Sequence, residues 1–294
     1  MSSSDNGQLE SAPTVRWGLL LPTFDSLRTG ETPPLIAGAR RAEELGFDGG
    51  WVGDHLSCLV PVLESTVALS MAAAVTQRIS LGFSVMLLAL RPSEMAAHQI
   101  ASVDALSGGR LVLGVGVGGE CPQEFTASGV PIEERGRQLD AALSDLPAQL
   151  AGARMPRVLV GGRGEAALRR TAQFGDGWLP MWLSPDVIAE RATRLRELAA
   201  QADRPPPSLG LLILTRVDDD PQRARHISEE HLRTQYNLPL KVVEPWLALG
   251  DEDRVAATLR PYLTLGLSDI ILMPLGDDPL AQYERLAAVR GMLD

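Results

Sequence analysis

The segment GGWVGDHL at residues 49–56 places two ionisable side chains directly after an apolar run. Trp51 and Val52 are typical of a buried strand, and Asp54 and His55 follow where that strand leaves the core. A histidine in such a position can exchange a proton at neutral pH, which is general acid–base chemistry. The same pair can also cap the next turn, so a structural role stays open from this segment alone.

A second candidate site is the glycine-rich segment GVGVGGE at residues 114–120. Gly116, Val117 and Gly118 lie just before Glu120, and glycines allow the backbone to approach a flat or anionic ligand closely. A tight turn at the end of a strand is the alternative interpretation. The segment is not a dinucleotide-binding fingerprint, because no helix begins directly after it.

A third candidate site is the segment VGGRGEAALRR at residues 160–170. Gly161, Gly162 and Gly164 indicate a loop, Arg163 adds a positive charge, and a helix is predicted to begin near Glu165. The first backbone N–H groups of a helix have no partner within the helix and bind anions readily. We therefore predict a phosphate site here, with a plain strand-to-helix connection as the alternative.

Ser84 and the two cysteines are less informative. Ser84 and Val85 begin a mostly apolar segment, and Ser84 faces either the interior or a neighbouring backbone group. Cys58 and Cys121 lack a CxxC partner or a second ligand close in sequence, so we predict two isolated thiols, with neither a disulfide framework nor a metal site. Such cysteine usage indicates a reducing cytoplasm.

The elements that must position these residues alternate between short apolar runs and longer amphipathic runs. Eight strands are predicted, at residues 16–22, 48–53, 79–88, 110–117, 157–161, 177–181, 209–217 and 268–273. Eight β-then-α repeats predict an α/β fold, a (β/α)8 TIM barrel, with extra helices between strands 7 and 8 in residues 218–267; a doubly wound open sheet is the alternative. In a barrel, all the candidate sites would meet at the C-terminal ends of the strands.

Length, composition and charge exclude several classes of protein. The chain has 294 residues, 45% of them hydrophobic, and a formal net charge of −10. Clustered positive charge is absent from the sequence, which argues against nucleic-acid and membrane-surface partners. Residues 1–14 are predicted to form a disordered N-terminal tail, and residues 15–294 to form one domain.

Three segments together resemble the bacterial luciferase-like superfamily, in the branch that uses the deazaflavin coenzyme F420. They are WVGDHL, the run from RISLGFSVMLL to GVGVGGE, and VLVGGRGEAALRRTAQFGDGWLP, and the resemblance extends from about Val15 to Met181. It implies a luciferase-like barrel, a homodimer and an oxidoreductase that transfers hydride between F420 and a small organic substrate. An FMN-dependent monooxygenase and a non-catalytic flavin-binding barrel are the alternatives.

The resemblance also implies roles for individual residues. Asp54 and His55 would lie against the coenzyme ring, with His55 transferring a proton to or from the substrate. The Ser84–Val85 bond would be a cis peptide behind the ring, and residues 116–118 would flank the ring.

The remaining implied roles concern two loops. Residues 161–165 would hold the coenzyme phosphate. Glu120 lies one position later than the catalytic glutamate of similar proteins, so its role as a proton donor stays an open expectation.

Overall fold

Eight parallel strands close into a barrel in the computed structural model, which describes residues 14–24 and 34–294. The strands are β1 Arg16–Leu20, β2 Gly49–Val52, β3 Ser80–Phe83, β4 Leu111–Val115, β5 Arg157–Gly161, β6 Gly177–Leu179, β7 Ser208–Val217, β8 Ala248–Gly250 and β9 Asp269–Pro274. The ring runs from β1 through β7 to β9, which pairs with β1 again. The predicted (β/α)8 barrel is confirmed; residues 1–13 of the predicted tail lie outside the described residues.

Helices surround this ring. They are α1 Leu35–Glu44, α2 Ser65–Val75, α3 Ser93–Leu106, α4 Gln123–Ser128, α5 Arg135–Gln149, α6 Glu165–Phe174, α7 Pro185–Gln201, α8 Pro221–Tyr236, α9 Leu240–Val243, α10 Glu252–Leu263 and α11 Pro279–Gly291. In the ranges 14–24 and 34–294, none of them is long and apolar enough to cross a membrane.

The segment between β7 and β9 contains the predicted extra helices and one element that the sequence analysis did not predict. Helices α8, α9 and α10 lie there, and the short strand β8 pairs with the last three residues of β7 outside the ring. A strand of three residues is too short to produce a periodic pattern. The predicted strand at 79–88 is likewise shorter, because regular pairing in β3 stops at Phe83.

One large side chain inside the barrel packs against glycines of three strands. Trp51 is buried on β2, and glycines on it and both neighbouring strands leave room for its indole. A Cβ added to Gly82 would lie 2.1 Å from Trp51 Cε3, and one added to Gly18 would lie 2.3 Å from Nε1. The indole therefore occupies space that is available only because these positions are glycines.

A charged network closes the opposite end of the barrel from the predicted site. Asp269 is buried at the start of β9, where Arg16 Nε donates to its Oδ1 at 2.9 Å and Arg157 Nη1 donates to the same atom at 3.2 Å. Burial alone would raise the pKa of Asp269, but hydrogen bonds from Arg157 and Arg16 hold it below its usual value. Residues at this end of a barrel contribute to stability rather than to chemistry.

Candidate active site

A cavity of about 450 Å³ opens at the C-terminal ends of the barrel strands. Its wall includes all but one of the thirteen residues predicted to bind the coenzyme or to act in catalysis, namely Asp54, His55, Ser84, Val85, Gly116, Val117, Gly118, Glu120, Gly161, Gly162, Arg163 and Gly164. Glu165 is the exception, because its exposed carboxylate pairs with Arg169 and Arg194 on the outer surface. Only the backbone of Glu165 can serve the predicted phosphate site.

The cavity also has lining residues that the sequence analysis missed, and most are apolar. They are Leu20, Phe24, Gly53, Leu87, Leu179, Met181, Trp182, Leu212, Tyr236 and Met273. Several stand at or just beyond the last residue of a strand, which is the signal that could have found them. An apolar wall with few polar groups is typical of a cofactor site.

His55 is held in a fixed orientation by Glu124 on α4. Its Nδ1 lies 3.1 Å from Glu124 Oε1, which also accepts hydrogen bonds from the backbone N–H groups of Leu56 at 2.7 Å and Ser57 at 3.3 Å. The edge of the Phe24 ring packs against the imidazole, with ring centroids 5.9 Å apart. Glu124 is completely buried, although it lies only four positions after Glu120.

The structure corrects the prediction of two isolated thiols. The ligand atoms of His55, Cys58 and Cys121 all lie within 4.8 Å of one another. Burial alone would lower the pKa of His55, but hydrogen bonds with Cys121, Cys58 and Glu124 raise it to about 12. Burial raises the pKa of Cys121. Burial alone would also raise the pKa of Cys58, but hydrogen bonds with His55 and Cys121 and the charge of His55 together lower it.

Asp54 makes a buried ion pair beneath the cavity wall. Arg91 donates from Nη1 to Oδ2 at 2.6 Å and from Nη2 to Oδ1 at 2.7 Å. The Ser65 hydroxyl and the Leu87 backbone N–H donate to the same carboxylate at 2.7 and 2.8 Å. The interactions of Asp54 therefore join the end of β2 to α2 and to the segment after β3, and they place His55 at the rim.

The wall after β3 contains the non-prolyl cis peptide bond Ser84–Val85 that the resemblance implies. Val85 fits between two glycines, because a Cβ on Gly116 would lie 2.4 Å from Val85 Cγ2 and one on Gly161 would lie 3.1 Å from Val85 Cγ1. Ser84 Oγ is buried and makes no hydrogen bond to the residues that the structure describes. A buried hydroxyl on a cavity wall is suited to a polar atom of a ligand.

The loop after β5 presents positive charge at the mouth of the cavity. Gly162 has φ of +108°, and its carbonyl accepts a hydrogen bond from Trp178 Nε1 at 2.8 Å. Helix α6 begins directly afterwards, with Gly164 as its N-cap and therefore no side-chain cap. The Arg163 guanidinium lies 5.6 Å from the centre of the Trp182 ring. These parts are suited to an anion such as a phosphate.

Comparison with curated proteins gives relatives of moderate identity. An uncharacterized protein of Mycobacterium tuberculosis is 31% identical over 168 residues, which is 50% of this chain and 58% of that protein. A phthiodiolone/phenolphthiodiolone dimycocerosates ketoreductase of Mycobacterium tuberculosis is 26% identical over 243 residues, covering 65% of this chain and 63% of that one. The match thus spans less than two thirds of each relative's length.

Solved structures of low sequence identity share the fold. An F420-dependent secondary alcohol dehydrogenase in complex with an F420-acetone adduct superposes with a TM-score of 0.80 at 15% identity, covering 94% of this chain and 98% of that one. The monooxygenase RslO1 from Streptomyces bottropensis gives 0.78 at 18% identity, covering 93% and 98%. The family model described as luciferase-like monooxygenase matches residues 15–144 and 140–258. The chain belongs to the luciferase-like monooxygenase family, whose members are mostly oxidoreductases or monooxygenases.

Proposed function

We propose that this protein is an oxidoreductase that binds coenzyme F420 and transfers hydride between it and a small organic substrate. The observation that carries the proposal is the presence of a proton carrier, His55, and an anion-binding loop at 161–165 beside one mostly apolar cavity. The alcohol dehydrogenase and ketoreductase names among the similar proteins support a carbonyl compound or its alcohol as substrate.

The residues of the cavity fit such a coenzyme in two respects. Val85 and the glycines at 116 and 161 form a wall without long side chains, which suits a flat ring. The Ser84 hydroxyl, which has no hydrogen-bond partner in the described part of the chain, offers that ring one polar contact. The uncapped start of α6 and the Arg163 guanidinium provide positive potential for the coenzyme phosphate.

When bound, the coenzyme supplies the hydride, and the chain supplies orientation and the proton. His55 Nδ1 is directed at Glu124, so Nε2 is the atom that we expect to exchange a proton with the substrate oxygen. The raised pKa keeps the ring protonated at neutral pH, which suits donation to a carbonyl oxygen during its reduction. Phe24, Leu87 and Met181 would exclude water from this region.

The second candidate function is an FMN-dependent monooxygenase. The same wall and the same anion-binding loop suit the flavin ring and its phosphate, and a monooxygenase is among the similar structures. The third candidate is a barrel that binds flavin without catalysing a reaction, and turnover measurements distinguish it from the two enzymes.

The test begins with binding and continues with turnover. Purified protein is titrated separately with F420 and FMN, and affinity is measured by equilibrium dialysis. We expect preferential binding of F420, followed by oxidation of reduced F420 with a panel of ketones and aldehydes under anaerobic conditions.

Two results would overturn the proposal in different ways. Preferential FMN binding, with substrate-dependent oxygen consumption when reduced FMN is supplied, would establish the monooxygenase instead. Tight binding of either coenzyme without turnover across the panel would favour the non-catalytic barrel.

A further inference from the structure

The proposed hydride transfer uses His55 but gives no role to the two cysteines beside it. Cys58 follows β2 and Cys121 precedes α4, and they are the two cysteines of the sequence. The fold brings them from separate loops to the same histidine, and both remain free thiols. We propose that His55, Cys58 and Cys121 bind one zinc ion at the edge of the cavity.

The donor set and its spacing are those that zinc requires. One imidazole nitrogen and two thiolate sulfurs form a ligand set found in zinc enzymes, whereas magnesium and calcium require oxygen ligands. Zinc–sulfur bonds of about 2.3 Å place two sulfurs about 3.8 Å apart in a tetrahedron. The three ligand atoms here already lie within 4.8 Å of one another, so a small side-chain adjustment brings them to bonding distance.

Glu124 provides the outer partner that a zinc-binding histidine ordinarily has. A ring that donates its Nδ1–H to a carboxylate keeps the lone pair of Nε2 for the metal. Glu124 Oε1 lies 3.1 Å from His55 Nδ1, and the two N–H groups of Leu56 and Ser57 hold the same oxygen in place. The ring orientation is therefore set before any metal binds.

A second, independent observation points to a cation at this place. Glu124 is fully buried, and its Oε2 has no hydrogen-bond partner within residues 14–24 and 34–294. A buried carboxyl oxygen without a partner lowers stability unless nearby positive charge compensates it. Zinc bound at Nε2 draws electron density from the imidazole, so its Nδ1–H becomes a stronger hydrogen-bond donor to this carboxylate, although the zinc and the two thiolates together are neutral.

Three protein ligands leave one zinc position for an exchangeable ligand. Of the three residues, only His55 lines the cavity, so we expect the fourth ligand to be water or a small oxygen ligand that enters from the cavity. A ring nitrogen that binds zinc cannot also carry a proton. In the zinc-bound protein, His55 would therefore be unable to donate a proton to the substrate. Zinc binding itself does not depend on the proposed hydride transfer.

The experiment measures metal binding in the absence of any coenzyme. The full chain is freed of metal with a chelator, titrated with Zn²⁺ or Co²⁺ and passed through a desalting column. We expect one zinc per chain by elemental analysis, and an intense thiolate-to-cobalt charge-transfer band with Co²⁺. The Cys58→Ser, Cys121→Ser and His55→Asn variants should each lose at least about tenfold in zinc affinity, and Glu124→Gln about tenfold or more.

His98→Asn is the matched control, because His98 is exposed on α3 outside the cluster, and this variant should keep one zinc. Circular dichroism checks the fold of each variant, and the cobalt spectrum of the unaltered chain remains decisive if a cysteine variant unfolds. Folded protein that retains no zinc at micromolar concentration, or that shows no thiolate band with cobalt, overturns the proposal. A separate titration of the metal-free protein with F420 and FMN tests the proposed function independently.

Discussion

At the scale of single residues, His55 combines more interactions than its sequence context indicates. An unperturbed histidine has a pKa near 6.5, and the residues next to His55 in the sequence give no sign of a different value. Burial alone would lower this value, but hydrogen bonds with Cys121, Cys58 and Glu124 raise the pKa of His55 to about 12. We therefore expect His55 to act as a proton donor rather than as a base in the metal-free protein.

Removal of the imidazole tests this role. We expect His55→Ala to lower the turnover number by ~10²–10⁴, the usual contribution of a general acid, with little change in coenzyme affinity. Glu120→Gln is the comparison, because Glu120 is exposed at the rim and should change turnover far less. A large loss in Glu120→Gln combined with near-normal turnover in His55→Ala would reverse the two assignments.

The same pKa predicts how stability depends on pH. A group whose pKa is higher in the folded protein contributes its full stabilisation below the unfolded pKa, and this contribution falls as pH rises through the folded value. The stability advantage of the wild type over His55→Asn should therefore shrink from about pH 6.5 upward, as measured by urea unfolding. A difference that is constant between about pH 6 and pH 10 would argue against a raised pKa.

At the scale of elements, the β5–α6 connection is suited to a phosphate because of its backbone conformation. Gly162 has φ of +108°, and an added Cβ would lie 3.0 Å from Ala167 Cβ. We expect Gly162→Val to weaken F420 binding by about tenfold or more, since displaced N–H groups and Arg163 no longer meet the phosphate. Binding of the phosphate-free deazaflavin chromophore should change little.

Gly164→Ala is the matched control for that loop. Gly164 has φ of −90°, and an added Cβ there meets no atom within 4 Å. This variant should bind the coenzyme nearly as the wild type does. Equal affinities for F420 in wild type and folded Gly162→Val would contradict a phosphate site in this loop.

The Trp51 indole fills the space beside Gly82, so a larger residue at position 82 should lower stability while every site residue is kept. Gly82→Ala forces a methyl group to within 2.1 Å of the buried indole, so we expect about 1–3 kcal/mol of destabilisation in denaturant unfolding. Gly291→Ala, where an added Cβ meets nothing, should stay within about 0.5 kcal/mol of the wild type. Equal stability of the two variants would mean that the indole moves freely.

The sequence predicted the elements better than their side-chain partners. Parallel strands buried on both faces are continuously apolar, so the eight strands of the ring were recognisable, and the glycine loops marked two walls of the cavity. Contacts between side chains that are far apart in the sequence leave no such local signal. Glu124 belongs to a short helix without a pattern, and the meeting of Cys58 with Cys121 depends on the course of two rim loops.

At the scale of the whole molecule, α2 presents an apolar stripe to solvent. Val67 is 62% exposed, Met71 is 42% exposed, and Ala74 continues the same face one turn later. Because the resemblance implies a homodimer and this stripe is an exposed apolar face, we expect the chain to pair through α2 and to sediment as a dimer at micromolar concentration. Met71→Glu should shift the population to monomer; a wild type that sediments as a monomer would exclude this interface.

The closure of the ring has a consequence for synthesis on the ribosome. Strand β9 lies between β1 and β7, yet it follows both in the chain. Until residues 269–274 leave the exit tunnel, the nascent polypeptide has a gap at that position, with an unpaired strand edge on each side. Exposed edges of this kind associate with other chains. The interval before β9 can pair is therefore the one in which chaperones would be most useful to this protein.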